Sequence, residues 1–183
     1  MIYLSAAVVL VGAIGLLNLV LIFGVLRRLR ETPPAAPASG HHDDGGGSGL
    51  VVGRSAEPFT VRLLHGGDLT EADLTGAGQT LVGFFTPGCG PCKTQAPKFA
   101  ERAAAWPGGP DRVLAVIIDD SMDGAEFGEQ FTGLARIILD GMEGPVATSL
   151  GVTAFPAFGI LDDTATVLAE STAVPSLPEL AAR

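Results

Sequence analysis

The chain of 183 residues has room for one ordinary domain and a short additional segment. Because 47% of its residues are apolar and only 17% are charged, the composition excludes a wholly disordered protein. Its net charge of -9 is unevenly distributed, because Arg27, Arg28 and Arg30 precede all 20 acidic residues and leave 8 basic against 20 acidic groups, a net of -12, in the remainder. The net negative charge of this part of the chain excludes binding to the phosphates of nucleic acid. Two cysteines and three histidines exclude a disulfide-rich scaffold and leave little for a metal site.

The first element along the chain is an apolar stretch. Residues 2–26 contain no charged side chain, and about 20 apolar residues in a helix cross the roughly 30 Å hydrocarbon core of a bilayer. A cleaved signal peptide would need a basic residue before a shorter apolar core and a small-residue cleavage site directly after it. The chain has an arginine cluster there instead. We therefore expect residues 1–30 to form an uncleaved single-pass anchor in the cell membrane, with residues 2–26 in contact with lipid.

The second element is a linker. Residues 31–56 are first rich in proline and alanine and then rich in glycine, with no periodicity, which is typical of a flexible tether. Its acidic and histidine cluster, His41 to Asp44, is interpreted as solvated, because a flexible segment does not preorganise metal ligands. The folded domain is predicted to cover residues 57–183.

Strands and helices alternate in that domain, which predicts an α/β fold with helices on both faces of a central sheet. Short apolar runs bounded by turn residues, such as residues 81–85, are typical of strands buried on both faces. Strands are predicted at residues 59–64, 81–85, 113–118, 135–139, 157–161 and 166–169, and helices at residues 91–105, 124–132 and 145–150.

Both cysteines of the chain fall in one motif, Cys89-Gly90-Pro91-Cys92, between a predicted buried strand and a predicted helix. Free backbone N–H groups and the helix dipole favour an anion where a helix begins, so they favour the thiolate of Cys89. That thiolate can attack a substrate disulfide, and Cys92, one turn further on, can then attack the mixed disulfide and release the reduced product. Pro91 restricts the turn that holds the two sulfurs together. This chemistry needs no cofactor beyond a redox-active Cys89–Cys92 disulfide.

Two other uses of the motif are disfavoured. A structural disulfide between Cys89 and Cys92 would close too short a loop to stabilise the fold much. A zinc site would need two further ligands, and no histidine or cysteine follows Cys92 in the chain. No metal ligand is therefore assigned.

The segment from Phe84 to Lys93, with Pro97 five residues beyond Cys92, resembles the active-site segment of the thioredoxin superfamily. The segment from Leu150 to Phe158 resembles the one that holds the cis-proline of the same family. The resemblance implies a thioredoxin-like fold, a central mixed sheet with helices on both faces. It also implies a cis Phe155–Pro156 bond that faces the cysteines, beside which the backbone pairs with an extended substrate.

Within the superfamily, the chain is most similar to the TlpA-like branch of membrane-anchored thiol-disulfide reductases, which includes the MauD proteins. It departs from the superfamily pattern at Gly88, where a tryptophan is usual, and at Gly83, where thioredoxin has a buried aspartate that helps to deprotonate the second cysteine. The first departure removes an aromatic wall of the substrate groove. The second leaves the base for Cys92 unassigned.

The resemblance implies a membrane-anchored thiol-disulfide oxidoreductase that reduces or exchanges protein disulfides, with electrons from a membrane or soluble thiol donor. It also implies an extracytoplasmic domain, whereas the positive-inside rule applied to Arg27, Arg28 and Arg30 favours the cytoplasm. We expect the domain to lie on the extracytoplasmic side, because disulfides form spontaneously there and would be substrates for a tethered reductase.

Three alternatives stay open. A thiol peroxidase is suggested by Thr86-x-x-Cys89, although the proline position of the peroxidase loop holds Val82. A copper-delivery protein of related fold would need Cys-x-x-x-Cys and a later histidine, but the last histidine is His65. The third alternative is a non-catalytic binding module that has kept the fold.

Overall fold

The computed structural model describes residues 49–76 and 78–179. The predicted membrane anchor and the predicted linker as far as residue 48 lie outside the described residues. Within the described part, no helix combines the length and the apolar character needed to cross a bilayer.

The core of the fold is a five-stranded sheet, and it is mixed, as the family resemblance implied. Its strands lie in the order β5-β4-β3-β6-β7, in which β3, β4 and β5 are parallel while β6 runs antiparallel to β3 and to β7. A separate hairpin pairs β1 with β2. The strands are β1 (Thr60–Arg62), β2 (Asp68–Thr70), β3 (Thr80–Phe85), β4 (Val113–Ile118), β5 (Arg136–Asp140), β6 (Ala157–Leu161) and β7 (Val167–Ser171).

Among the described residues, three α-helices cover the two faces of the sheet. They are α1 (Gly90–Ala104), α2 (Met122–Gly128) and α3 (Pro145–Leu150), and single 3-10 turns lie at Glu71–Leu74, Gly109–Arg112, Glu129–Phe131 and Val174–Ser176. Every residue of β3 and β4 is buried, because both faces of these strands are covered. The buried side chains of α1 pack in one core, which we call the aromatic core, and those of α3 pack in a second core on the opposite face. Helices on both faces confirm the predicted architecture.

The sequence elements agree with the structure to within a few residues. The helix predicted to begin at Pro91 begins at Gly90 and continues through the exposed Pro97. The helix predicted from Gly124 begins at Met122, because the Ser121 hydroxyl accepts a hydrogen bond from the backbone N–H of Asp123 and caps it. The predicted strand at residues 59–64 is limited to the three residues of β1.

The beginning of the domain needs a correction. Leu50, within the predicted linker, is only 4% exposed and packs in the second core, and Arg54 donates from Nε to the carbonyl oxygen of Ser149 at 3.1 Å. A β-carbon on Gly49 would stand 2.3 Å from the backbone nitrogen of Thr153, so this close approach admits only glycine. The glycine-rich composition of this stretch gave no indication that Leu50 packs in the core. The folded part therefore already includes residues 49–56.

Candidate active site

The Cys-Gly-Pro-Cys motif lies where β3 ends and α1 begins. Cys89 is the N-cap residue of α1, and its sulfur accepts a hydrogen bond from the backbone N–H of Cys92 at 3.2 Å. Gly90 and Pro91 open the helix, where the missing N–H of proline costs nothing because the first turn has no intrahelical acceptor for it. The Cys89 sulfur is thus held at the N-terminus of α1, where backbone N–H groups lack intrahelical acceptors.

The two cysteines differ sharply in their surroundings. Both are free thiols, but Cys89 is partly exposed whereas Cys92 is 0% exposed and packs in the aromatic core. Burial is the main cause that raises the pKa of Cys92 to about 12, and the neighbouring sulfur of Cys89 adds to the shift while backbone hydrogen bonds at Thr86 and Cys92 oppose it. At neutral pH, Cys92 is therefore a protonated thiol behind an accessible Cys89.

The segment between α3 and β6 approaches Cys89 from the other side. The Phe155–Pro156 peptide bond is cis, as the resemblance implied. The Cys89 sulfur lies 3.9 Å from the carbonyl oxygen of Phe155, whose side chain is half-buried and packs against both cores. Thr153 and Ala154, just before it, are exposed. The structure thus brings the start of α1, with the four residues of the Cys-Gly-Pro-Cys motif, together with Phe155, and the buried Pro156 follows Phe155 in the chain.

Gly88 and Gly83, the two positions that depart from the superfamily pattern, differ in their surroundings. Gly88 is exposed, and a β-carbon there would meet no atom within 4 Å, so a side chain at this position would extend into open space beside Cys89. A β-carbon on Gly83 would stand 2.6 Å from Cε2 of Phe99 and 2.9 Å from Cε2 of Phe85. Position 83 is therefore filled by aromatic rings.

The aromatic core around Cys92 was not predicted from the sequence. The ring of Phe85 lies at its centre, with ring centroids 5.3 Å from Phe99, 5.1 Å from Phe131 and 5.5 Å from Phe158. These phenylalanines come from four separate elements. Only their common apolar character could have pointed to the cluster, because sequence spacing does not say which strands become neighbours.

No group of three or more histidine, cysteine or acidic side chains that could hold a metal ion occurs among residues 49–76 and 78–179. His65 is on the surface, where its Nε2 atom lies 3.1 Å from the hydroxyl of Thr132. His41 and His42 lie outside the described residues.

Residues 52–170 match a known family, the AhpC/TSA family, over more than half of the chain. No curated protein sequence matches the chain. Similar solved structures include a proposed thiol:disulfide interchange protein DsbE from Chlorobium tepidum, with a TM-score of 0.55 at 24% identity over 66% of this chain and 84% of that one.

A proposed thioredoxin from Neisseria meningitidis has a TM-score of 0.55 at 24% identity over 67% of this chain and 82% of its own. The thioredoxin domain of a thiol-disulfide oxidoreductase from Bacteroides vulgatus has a TM-score of 0.53 at 21% identity over 66% and 88% of the two chains. At these identities, the likeness shows that the chain shares their fold.

Proposed function

Because this chain belongs to the AhpC/TSA family, a thioredoxin-like family, we propose that it is a thiol-disulfide oxidoreductase that acts on protein disulfides through its Cys89-Gly90-Pro91-Cys92 dithiol. Membership of the family confirms the thioredoxin-superfamily resemblance of the sequence. One observation carries the proposal: Cys89 is partly exposed and its sulfur accepts a hydrogen bond from the N–H of Cys92 at the start of α1, while Cys92 is buried.

The different exposure of the two sulfurs supports different roles for them. The Cys89 thiolate attacks one sulfur of a substrate disulfide, which forms a mixed disulfide and releases the first substrate thiolate. Cys92 then loses its proton and attacks the sulfur of Cys89, so that the second substrate thiolate leaves and the Cys89–Cys92 disulfide forms. A thiol donor reduces this disulfide and closes the cycle.

The substrate of this reaction is an extended polypeptide. Thr153 and Ala154 are exposed and lead into Phe155, whose carbonyl oxygen lies 3.9 Å from the Cys89 sulfur. The backbone beside Phe155 can pair with an added strand, and open space at Gly88 leaves room for a bulky partner on the other side.

A membrane anchor at residues 2–26 and a tether that ends before Gly49 complete the proposal, with the catalytic domain on the extracytoplasmic side. The uncharged stretch and the resemblance to the TlpA-like branch support it. A membrane-impermeant maleimide should label Cys89 in intact cells, and the Cys89→Ser variant should remain unlabelled. Labelling only after lysis would instead place the domain in the cytoplasm.

The activity is tested with the full chain, purified in detergent. It should catalyse the reduction of insulin by dithiothreitol, and Cys89→Ser should remove the catalysis. Cys92→Ser should accumulate a mixed disulfide that is visible in non-reducing electrophoresis. Equal rates for the wild type and Cys89→Ser would refute the proposal, and rapid turnover of hydrogen peroxide without insulin reduction would favour a thiol peroxidase.

A further inference from the structure

We propose that the Phe99 ring, by filling the space beside Gly83, leaves no room there for a side-chain base to Cys92, so that the covalent complex between this protein and its partner is long-lived at neutral pH. The inference rests on the proposed function and concerns its second step, in which Cys92 resolves the mixed disulfide. Three features of the described residues support this inference. The space beside Gly83 is filled, the Phe99 ring that fills it is tightly enclosed, and the aromatic core holds no other proton acceptor.

Position 83 is the place from which a side chain on the sheet could reach the cysteines. Alternate residues of β3 point to opposite faces, and Leu81 and Phe85 both pack in the aromatic core. A side chain at residue 83 would therefore point to the same face, toward the buried side of α1 that carries Cys92 and Phe99. The ring of Phe99 already occupies this space, because a β-carbon would stand 2.6 Å from its Cε2 atom.

The ring of Phe99 cannot easily move aside. It is 0% exposed and lies edge-on to Phe131 with ring centroids 5.6 Å apart. It stacks on Phe158 at 5.9 Å and meets Phe85 edge-on at 5.3 Å. A ring enclosed on three sides leaves no room at position 83 for a carboxylate side chain.

No other described group can take the proton. The buried polar residues of the described part are Thr80, Arg112, Asp140 and Ser149. Each has a partner elsewhere: the Arg112 guanidinium donates to Thr80 and to the Leu74 carbonyl, Asp140 accepts from the N–H groups of α3, and Ser149 donates to the Glu57 carbonyl.

Around Cys92 itself, the neighbouring Lys93 is exposed. Cys89 is the only titratable side chain of the described residues that acts on the Cys92 pKa. Once Cys89 is bound in a mixed disulfide, it carries no charge and accepts no proton. Burial, the main cause of the high Cys92 pKa, remains.

The resolving step then has a definite proton balance. Hydroxide from solvent removes the proton of the Cys92 thiol and becomes water. The Cys92 sulfur forms a bond to the sulfur of Cys89, the bond between Cys89 and the partner breaks, and the partner leaves as a thiolate. Two enzyme thiols are oxidised and one partner disulfide is reduced. Because only the thiolate attacks, the rate should rise about tenfold for each pH unit until the thiol itself titrates.

The test follows both steps on the reduced full chain with Ellman's reagent, 5,5′-dithiobis(2-nitrobenzoic acid), between pH 6 and pH 9.5. Attack by Cys89 releases one thionitrobenzoate, and resolution by Cys92 releases a second in a phase independent of reagent concentration. We expect the resolving rate to rise about tenfold per pH unit from pH 6 to pH 9. A plateau at or below pH 8 would overturn the inference alone, whereas absence of the first phase would overturn the proposed function as well.

A pair of variants isolates the role of position 83. Phe99→Ala opens the space without adding a base, and Gly83→Asp combined with Phe99→Ala opens it and adds a carboxylate. At pH 6.5, the double variant should resolve at least tenfold faster than Phe99→Ala and reach a plateau near neutral pH. Equal resolving rates in the two variants would contradict the inference. If either variant does not fold, the wild-type pH profile still decides.

Discussion

Replacing Gly83 with alanine tests how firmly the aromatic core is packed. The added methyl carbon would stand 2.6 Å from the Phe99 ring and 2.9 Å from the Phe85 ring, whereas non-bonded carbon atoms favour about 3.5–4.0 Å. Overpacking of a core costs about 1–3 kcal/mol, and replacing a strand glycine returns about 0.5–1 kcal/mol of backbone entropy. The two ranges combine to a net loss of about 0–2.5 kcal/mol, and the 2.6 Å approach to a fully buried ring places the expected loss in free energy of unfolding at about 1–2 kcal/mol within it.

The chain provides its own probe and control for this measurement. Trp106 is its single tryptophan, is 6% exposed and packs in the aromatic core, so its fluorescence follows urea unfolding of this region. Gly88→Ala is the control, since a β-carbon there meets no atom within 4 Å and should change the stability by less than about 0.5 kcal/mol. If Gly83→Ala is as stable as Gly88→Ala, the Phe99 ring yields, and the reasoning about a blocked position fails.

Three further predictions concern other parts of the domain. Asp140→Ala leaves the N–H groups of Gly141, Val146 and Ala147 without their acceptor and should cost about 2–4 kcal/mol in urea unfolding; a loss below about 1 kcal/mol would contradict this. Because the Cys92 pKa rises to about 12 on folding, its stabilising effect is complete below pH 9 and is lost as pH rises toward 12. Between pH 7 and pH 10.5, the wild type should therefore lose about 2 kcal/mol more than Cys92→Ala, and parallel unfolding curves of the two proteins would refute that sign. Arg102→Ala removes hydrogen bonds to the carbonyls of Val174 and Leu177 and should speed amide exchange in this segment, with unchanged exchange as the contrary result.

Much of the sheet was predictable because its strands are continuous apolar runs between turn residues. Val113–Ile118 and Ala157–Leu161 are strands with the predicted bounds, and α3 likewise covers the predicted residues 145–150. The proximity of Cys89 to Phe155 came from the family resemblance, since 66 residues separate them and no local rule joins them.

The remaining features depend on long-range packing. The burial of Leu50 was missed because one apolar residue among glycines carries no periodic signal. The filling of position 83 was missed because it depends on Phe99, whose ring direction follows from how α1 lies on the sheet. The role of Asp140 as acceptor for the N–H groups of Val146 and Ala147 was not predicted, because nothing in the sequence links a carboxylate at the end of a strand to the first turn of α3.

The contacts of Leu50 and Arg54 with the rest of the domain determine where the folded part can be cut from the chain. A fragment cut at residue 57 would strip a leucine from the second core and break the Arg54 hydrogen bonds to the carbonyls of Thr148 and Ser149. Such a truncation would be expected to aggregate for reasons unrelated to its cysteines. The cut must fall upstream of Gly49.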